Sequence, residues 1–138
     1  MFGNTRPGAN AYRQMGVDTD ALAASPHQLI VMLFDGALRA IDTAALQFEG
    51  DDIEGRGRSI GKAIEIVGSG LAASLDKERG GEIAANLAAL YDYIVRLLVE
   101  SNLRTDPAKL AEARRLLAQT RDSWVAIGHA AHPSGVSA

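Results

Sequence analysis

The sequence predicts an all-α protein: an antiparallel four-helix bundle over residues 21–128, with a flexible N-terminal segment at 1–20 and a disordered C-terminal tail at 129–138. Alanine, the strongest helix former and a poor strand residue, occurs 24 times among the 138 residues. No segment alternates apolar and polar residues for long enough to indicate a strand. Four stretches of about 20 residues carry apolar residues at helical spacing and are joined by short turns, which favours an antiparallel bundle.

The first helix is expected to begin after Ser25. Serine is a good N-cap, Pro26 suits the first helical position, and Gln28 can complete a capping box with the serine. An apolar stripe then continues to Phe48, and Gly50 marks the break that follows.

The second helix is expected from about Ile53 to Leu75, and it contains four glycines in its interior. Each glycine costs about 1 kcal/mol relative to alanine in such a position. Two explanations remain open: a neighbouring helix approaches closely, or the helix forms a shallow groove that accepts a partner. The glycines are Gly57, Gly61, Gly68 and Gly70.

Capping residues delimit the last two helices. The third is expected from about Glu82 to Leu103, and the fourth from Asp106 as cap and Pro107 as first residue to about Gly128. The third helix also carries charges of alternating sign four residues apart, which is typical of a solvated face. These residues are Asp92, Arg96, Glu100 and Arg104.

Composition excludes several classes of protein. The chain has 14 Lys and Arg against 17 Asp and Glu, a net charge of -3, which argues against binding nucleic acid or an anionic membrane. It has no cysteine, which excludes disulfides, thiolate metal sites and a cysteine nucleophile. No apolar run approaches the roughly 20 residues of a membrane span, and residues 1–13 do not resemble a signal peptide. We therefore expect a cytosolic protein.

The sequence offers no credible catalytic constellation. None of the seven glutamates has a histidine three residues on, so the Glu-x-x-His pairs of dimetal bundles are missing. Residues 68–70 (Gly-Ser-Gly) lack the flanking strand and lysine of a nucleophile elbow or phosphate loop. We expect His27 to face solvent or join the capping network, and the pair His129 and His132 lacks carboxylates nearby for a metal. The prediction is no enzyme activity, no cofactor and no metal.

Apolar residues in surplus beside the core stripes are the positive signal. Such positions on the first and third helices are typical of a surface that binds a partner helix. A thick core or a dimer interface explains them equally well. The residues are Val31, Met32, Tyr91, Tyr93, Val95 and Val99.

Four separated segments resemble the flagellar secretion chaperone family FliS, the export chaperones of flagellin. Residues 24–37 are similar to the first-helix signature of that family, and 60–66, 75–93 and 121–124 agree in order and spacing. The resemblance covers about residues 10–127. One departure is Phe34, which stands where the family often has tyrosine.

The resemblance implies a cytosolic helical bundle without enzyme activity. Such chaperones bind the disordered C-terminal segment of new flagellin, prevent premature polymerisation and keep it competent for flagellar type III secretion. The segment wraps around the bundle and forms helices in apolar grooves, which is folding coupled to binding. Other flagellar export or regulatory proteins are further candidate partners, whereas nucleic acid and membrane insertion are not expected.

The resemblance also implies that Tyr12 belongs to a segment that covers the groove and moves aside on binding; the alternative is a tyrosine packed permanently on the bundle. Ile94 lies on the core stripe and is also a candidate for a purely structural role. The rival function is a structural or signalling bundle that self-associates through the same surface. The candidate flagellin contacts are Tyr12, Met32, Tyr91, Ile94, Val95 and Val99.

Overall fold

A computed structural model describes residues 24–127 and residue 132. Within these residues the chain forms a square of antiparallel helices in which α1 lies beside α2 and α4, and α3 closes the square between them. The predicted four-helix bundle is confirmed. The predicted N-terminal segment and, apart from His132, the predicted tail lie outside the described residues. The helices are α1 (Pro26–Glu49), α2 (Ile53–Glu65), α3 (Lys77–Leu103) and α4 (Pro107–Ile127).

Ion pairs between α1 and α4 illustrate the antiparallel order. Arg114 pairs with Asp42, and Arg121, two turns further along α4, pairs with Asp35, two turns earlier on α1. None of the described helices is long and apolar enough to cross a lipid bilayer.

The capping box predicted for α1 is confirmed. The Gln28 backbone N–H donates to Ser25 Oγ at 3.1 Å, and the Ser25 backbone N–H donates to Gln28 Oε1 at 3.0 Å. Two donors at the helix start are thereby satisfied.

The glycine-rich second helix changes form along its length. After Glu65 it continues as a π-helix over Ile66–Leu71 and a 3₁₀ turn over Ala72–Ser74. The backbone N–H of Ala72 bonds to the carbonyl of Val67, five residues back, which is the wider spacing of a π-turn. The helical segment therefore ends close to the predicted Leu75, but it is not a single α-helix.

The third helix begins at Lys77, five residues before the predicted start. Asp76 caps it by accepting hydrogen bonds from the backbone N–H groups of Glu78 and Arg79 at 3.1 and 3.0 Å. Gly81 then interrupts the helical geometry with φ 52° and ψ −128°, a conformation that glycine adopts without a Cβ clash. The regular helix that lines the core therefore starts at the predicted Glu82.

Candidate binding surfaces

Two glycines of the second helical segment face α3, and a third, Gly61, faces open space. A Cβ at Gly57 would lie 3.8 Å from Asn102 Nδ2, and one at Gly68 would lie 4.0 Å from Val95 Cγ2. A Cβ at Gly61 would meet no other atom of the described residues within 4 Å. A Cβ would therefore make ordinary contacts at Gly57 and Gly68 and meet open space at Gly61, so close helix approach does not require these glycines.

Two valine side chains of α3 are partly uncovered near this segment. Val95 is half-buried beside Gly68, and Val99, one turn further on, is 42% exposed. We name this surface the α2–α3 groove, lined by Gly61, Gly68, Val95 and Val99. Its exposed part is apolar at Val99 and carries no side chain at Gly61.

A second apolar surface runs along the seam between α1 and α4. At the start of α1 lies an open depression of about 620 Å³. Its lining includes His27 and the apolar side chains of Val31, Met32 and Val125. We name it the His27 depression. Val125 is 48% exposed, so a large apolar side chain on this seam remains open to solvent.

The other end of the same seam holds a depression of about 430 Å³. We name it the Phe48 depression. Its wall is mainly apolar, and Phe48 is partly buried against the core. The residues around it include Ile41, Ala45, Phe48, Pro107, Leu110 and Ala111.

Two ion pairs separate these depressions. Arg121 Nε lies 2.6 Å from Asp35 Oδ1, and Arg114 Nε lies 2.6 Å from Asp42 Oδ1. The hydrogen bonds that the two arginines donate to these carboxylates raise the pKa of both arginines, so both guanidinium groups stay charged. Because the side chains are partly solvated, each pair contributes at most about 1 kcal/mol to stability. The seam is thus apolar at its ends and charged in its middle.

An aromatic cluster closes the bundle at the end where α1 begins. The His27 and Trp124 rings stack 4.7 Å apart, and the His132 ring meets Trp124 edge-on at 4.8 Å. His132 Nε2 lies 3.4 Å from the Tyr91 hydroxyl. His27, expected to face solvent or the capping network, is instead half-buried in this cluster.

Three of the six predicted contact residues lie at the surface of the described bundle. Met32 lines the His27 depression, while Val95 and Val99 line the α2–α3 groove on the opposite face. The structure therefore does not bring these three together at one place. Tyr12 lies outside the described residues.

The other two predicted contacts belong to the core. Tyr91 is 1% exposed and Ile94 is 0% exposed, so neither offers a partner a surface in this conformation. Burial raises the pKa of the Tyr91 hydroxyl far above its usual value of 10. In this conformation both side chains pack in the core.

The sequence reasoning missed Val125, Phe48 and His132. Val125 lies on the fourth helix beside Trp124, where the surplus of apolar residues beside the core stripe extends, and Phe48 is indistinguishable in the sequence from the end of the core stripe of the first helix. His132 left no signal, because the tail lacks helical periodicity. Among residues 24–127 and 132, no group of three or more carboxylates or histidines is arranged to hold a metal ion.

Comparison with known proteins decides the family. The family model described as "Flagellar protein FliS" matches residues 8–131. The chain belongs to the FliS family. The family resemblance expected from the four sequence segments is confirmed, and the match extends into residues on both sides of the described bundle.

Curated relatives share most of their length with this FliS-family chain. The flagellar secretion chaperone FliS of Salmonella typhimurium is 46% identical over 123 residues, covering 89% of this chain and 91% of the relative. That of Escherichia coli is 43% identical, covering 85% and 86%. The flagellar secretion chaperone FliSB of Pseudomonas aeruginosa is 41% identical, covering 86% and 93%. The family is thus one of flagellar secretion chaperones and not an enzyme family.

Proposed function

We propose that this protein is a flagellin export chaperone. It binds the disordered C-terminal segment of flagellin in the cytosol, prevents premature polymerisation and keeps the segment competent for flagellar type III secretion. The observation that carries the proposal is apolar surface left open on two opposite faces of the bundle, the α2–α3 groove and the α1–α4 seam. The relatives' names, which describe flagellar secretion chaperones, support the flagellar client.

The placement of the two surfaces favours a long client that wraps around the bundle. The groove and the seam lie on opposite sides of the square, so one straight helix cannot contact both. The longest helix has 27 residues and spans about 40 Å. A client therefore needs two helical stretches joined by a crossing over one end of the bundle, which a segment without fixed structure can supply.

The charged middle of the α1–α4 seam determines which positions of the client helix are apolar and which are polar. A helix lying along the seam places apolar side chains in the His27 and Phe48 depressions and polar ones over the Asp35–Arg121 and Asp42–Arg114 pairs. A uniformly apolar helix would desolvate these ions without replacing their hydrogen bonds. The seam therefore selects an amphipathic client over a purely apolar one.

Because the client folds as it binds, its affinity for the chaperone is lower than its contacts alone would give. Each buried valine-sized contact contributes about 1.5 to 3 kcal/mol, whereas ordering each client residue costs about 1 to 2 kcal/mol. The net binding free energy is a small part of the gross contact energy. This balance suits a chaperone that must release its client for export.

We further propose that Tyr12 belongs to a removable cover of the client surface. Deleting residues 1–16 is then expected to strengthen flagellin binding, because the client no longer displaces the cover. An unchanged or weaker affinity would indicate that the tyrosine is packed permanently or does not reach the surface.

Three aspartate substitutions at exposed apolar positions test the proposed surfaces. Val99→Asp places a charge in the α2–α3 groove, and Val125→Asp places one in the seam. Leu46→Asp is the matched control, because Leu46 is 68% exposed and lies on the outward face of α1. Calorimetric titration with the flagellin segment is expected to show at least tenfold weaker binding for the first two and no change for the control.

Two outcomes would refute this assignment. One is equal loss of affinity in all three variants, and the other is no loss in the groove and seam variants. Sedimentation of the protein alone tests the rival function. A self-associating bundle would be oligomeric, and Val99→Asp or Val125→Asp would convert it to a monomer.

A further inference from the structure

His132 fills a pocket between α3, α4 and the π-helical segment. Its side chain is only 2% exposed, with its ring edge-on to Trp124 at 4.8 Å and 6.1 Å from the Tyr91 ring. The backbone of Leu71 is close enough to influence its ionisation. We name the site the Trp124 pocket, formed by Leu71, Tyr91 and Trp124.

A backbone hydrogen bond with Leu71 only partly offsets the effect of burial on the imidazole, so its polar atoms are weakly paired in this pocket. Its Nδ1 is buried and has no partner within ordinary hydrogen-bond geometry among the described residues. Its Nε2 reaches the Tyr91 hydroxyl only at 3.4 Å, the long limit for such a bond. A buried polar atom without a partner opposes burial, whereas an apolar ring of similar size carries no such penalty. Burial also lowers the pKa of His132 to about 4, weakly opposed by the Leu71 backbone, so the ring is neutral at pH 7.

The pocket adjoins a residue that lines the client surface proposed above. Trp124 contacts His132 on one side and stacks on His27 on another. His27 and Val125 line the His27 depression. A helix lying in that depression therefore comes within reach of the Trp124 pocket.

We propose that the Trp124 pocket is a receptor for one large apolar or aromatic side chain of the bound client, and that His132 is its intramolecular placeholder, displaced on binding. The identity of the client rests on the proposed chaperone function, but the pocket itself does not. His132 shields the ring of Trp124 from water in the free protein, and a phenylalanine- or leucine-sized side chain replaces it in the complex.

The first test needs no client and uses the full chain. The protein has one tryptophan, so its fluorescence reports on this pocket. His132→Ala is expected to change the emission and to bind toluene at least tenfold more tightly than the wild type, as measured by thermal shift. His129→Ala, in the same tail, is the control and is expected to match the wild type. Unchanged emission or equal toluene binding in His132→Ala would overturn the proposal.

The second test measures client affinity. A placeholder seated in about nine of ten molecules lowers apparent affinity about tenfold, so His132→Ala is expected to bind the flagellin segment up to tenfold more tightly. The double variant Tyr91→Phe with His132→Phe removes the weakly paired polar atoms, so the phenylalanine fills the pocket more firmly. This variant is expected to bind the flagellin segment more weakly than Tyr91→Phe alone. Circular dichroism checks that each variant is folded.

The outcomes separate this proposal from the chaperone function. Weaker or unchanged client binding by His132→Ala would show that His132 does not compete with the client. Failure of the wild type to bind flagellin would refute the proposed function, while toluene binding would still decide whether the pocket exists.

Discussion

Trp124 donates its indole N–H to the backbone carbonyl of His27 at 3.3 Å while the two rings stack 4.7 Å apart. These residues are 97 positions apart in the sequence, so the contact ties the end of α4 to the start of α1. It closes the square of helices at one end, and His27 also lines the His27 depression. The stability of this end and the shape of the proposed client surface therefore depend on the same pair.

Removing the Trp124 ring is expected to destabilise the whole bundle. Trp124→Ala should cost about 3 to 5 kcal/mol because it empties a buried aromatic site. Trp124→Phe should cost less, about 1 kcal/mol of which is the lost hydrogen bond to His27. Urea unfolding followed by circular dichroism measures both. A loss below about 1 kcal/mol for the alanine variant would contradict the closing role of this contact.

Two glycines of α2 are expected to respond to alanine in opposite directions. Gly61→Ala should stabilise the protein by about 0.5 to 1 kcal/mol, since the helix gains propensity and the new Cβ lies in open space. Gly55→Ala should destabilise it, because the Cβ would overlap the carboxylate of the N-cap Asp52 and lie 2.5 Å from Gln47 Nε2. Thermal unfolding of the two variants decides. A loss of stability in both variants would be inconsistent with the open space at Gly61.

Arg56 is expected to be a stability residue despite its charge. It is buried, donates from Nε to Asn102 Oδ1 at 2.9 Å and lies over the Phe48 ring at 4.5 Å. Arg56→Ala should cost about 2 kcal/mol through the lost hydrogen bond and cation–π contact. Arg58→Ala, at an exposed position on the same helix, is the control and should stay within about 0.5 kcal/mol. Equal effects in denaturant unfolding would argue against this role.

His132 is expected to leave the Trp124 pocket as the pH falls. Its pKa is about 4 when seated and returns towards the ordinary value of 6.5 when released, so the released form takes up a proton first. The seated state is therefore fully favoured above pH 6.5 and is progressively lost between pH 6.5 and 4. The emission of Trp124 over this range reports the change.

The control for this titration must separate the two histidines that touch Trp124. His27 stacks on the same ring, so the measurement is made in a His27→Gln background. Tyr91, the other titratable group in the cluster, ionises far above this range. Persistence of the emission change after the further substitution His132→Ala would rule out His132 as its source.

The sequence predicted what local chemistry determines. The capping box at Ser25 and Gln28 depends on residues three apart and is present as expected. The charge ladder on α3 is only partly realised: Arg96 pairs with Asp92, but Glu100 pairs with Lys109 of α4. A partner on another helix competes for the same carboxylate, and helical spacing alone does not reveal it.

The candidate surface was predicted less well because it depends on how the helices are rotated. Tyr91, Ile94, Val95 and Val99 lie close together in sequence, yet the first two are buried in the core, Val95 is half-buried and Val99 is exposed. A broad apolar stripe does not define which edge faces a neighbour. The exposure of Val99 and the open space at Gly61 depend on how the helices pack, and helical spacing along one chain segment cannot show it.

The most direct test of the account is calorimetric titration of the full chain with the C-terminal segment of flagellin from the same organism. We expect a stoichiometry near 1:1, a negative heat-capacity change and a gain in helical circular dichroism on mixing, because apolar surface is buried as the segment folds. No heat and no gain of helix, with a flagellin segment shown to be competent to polymerise, would contradict the chaperone function while leaving the bundle itself unchanged.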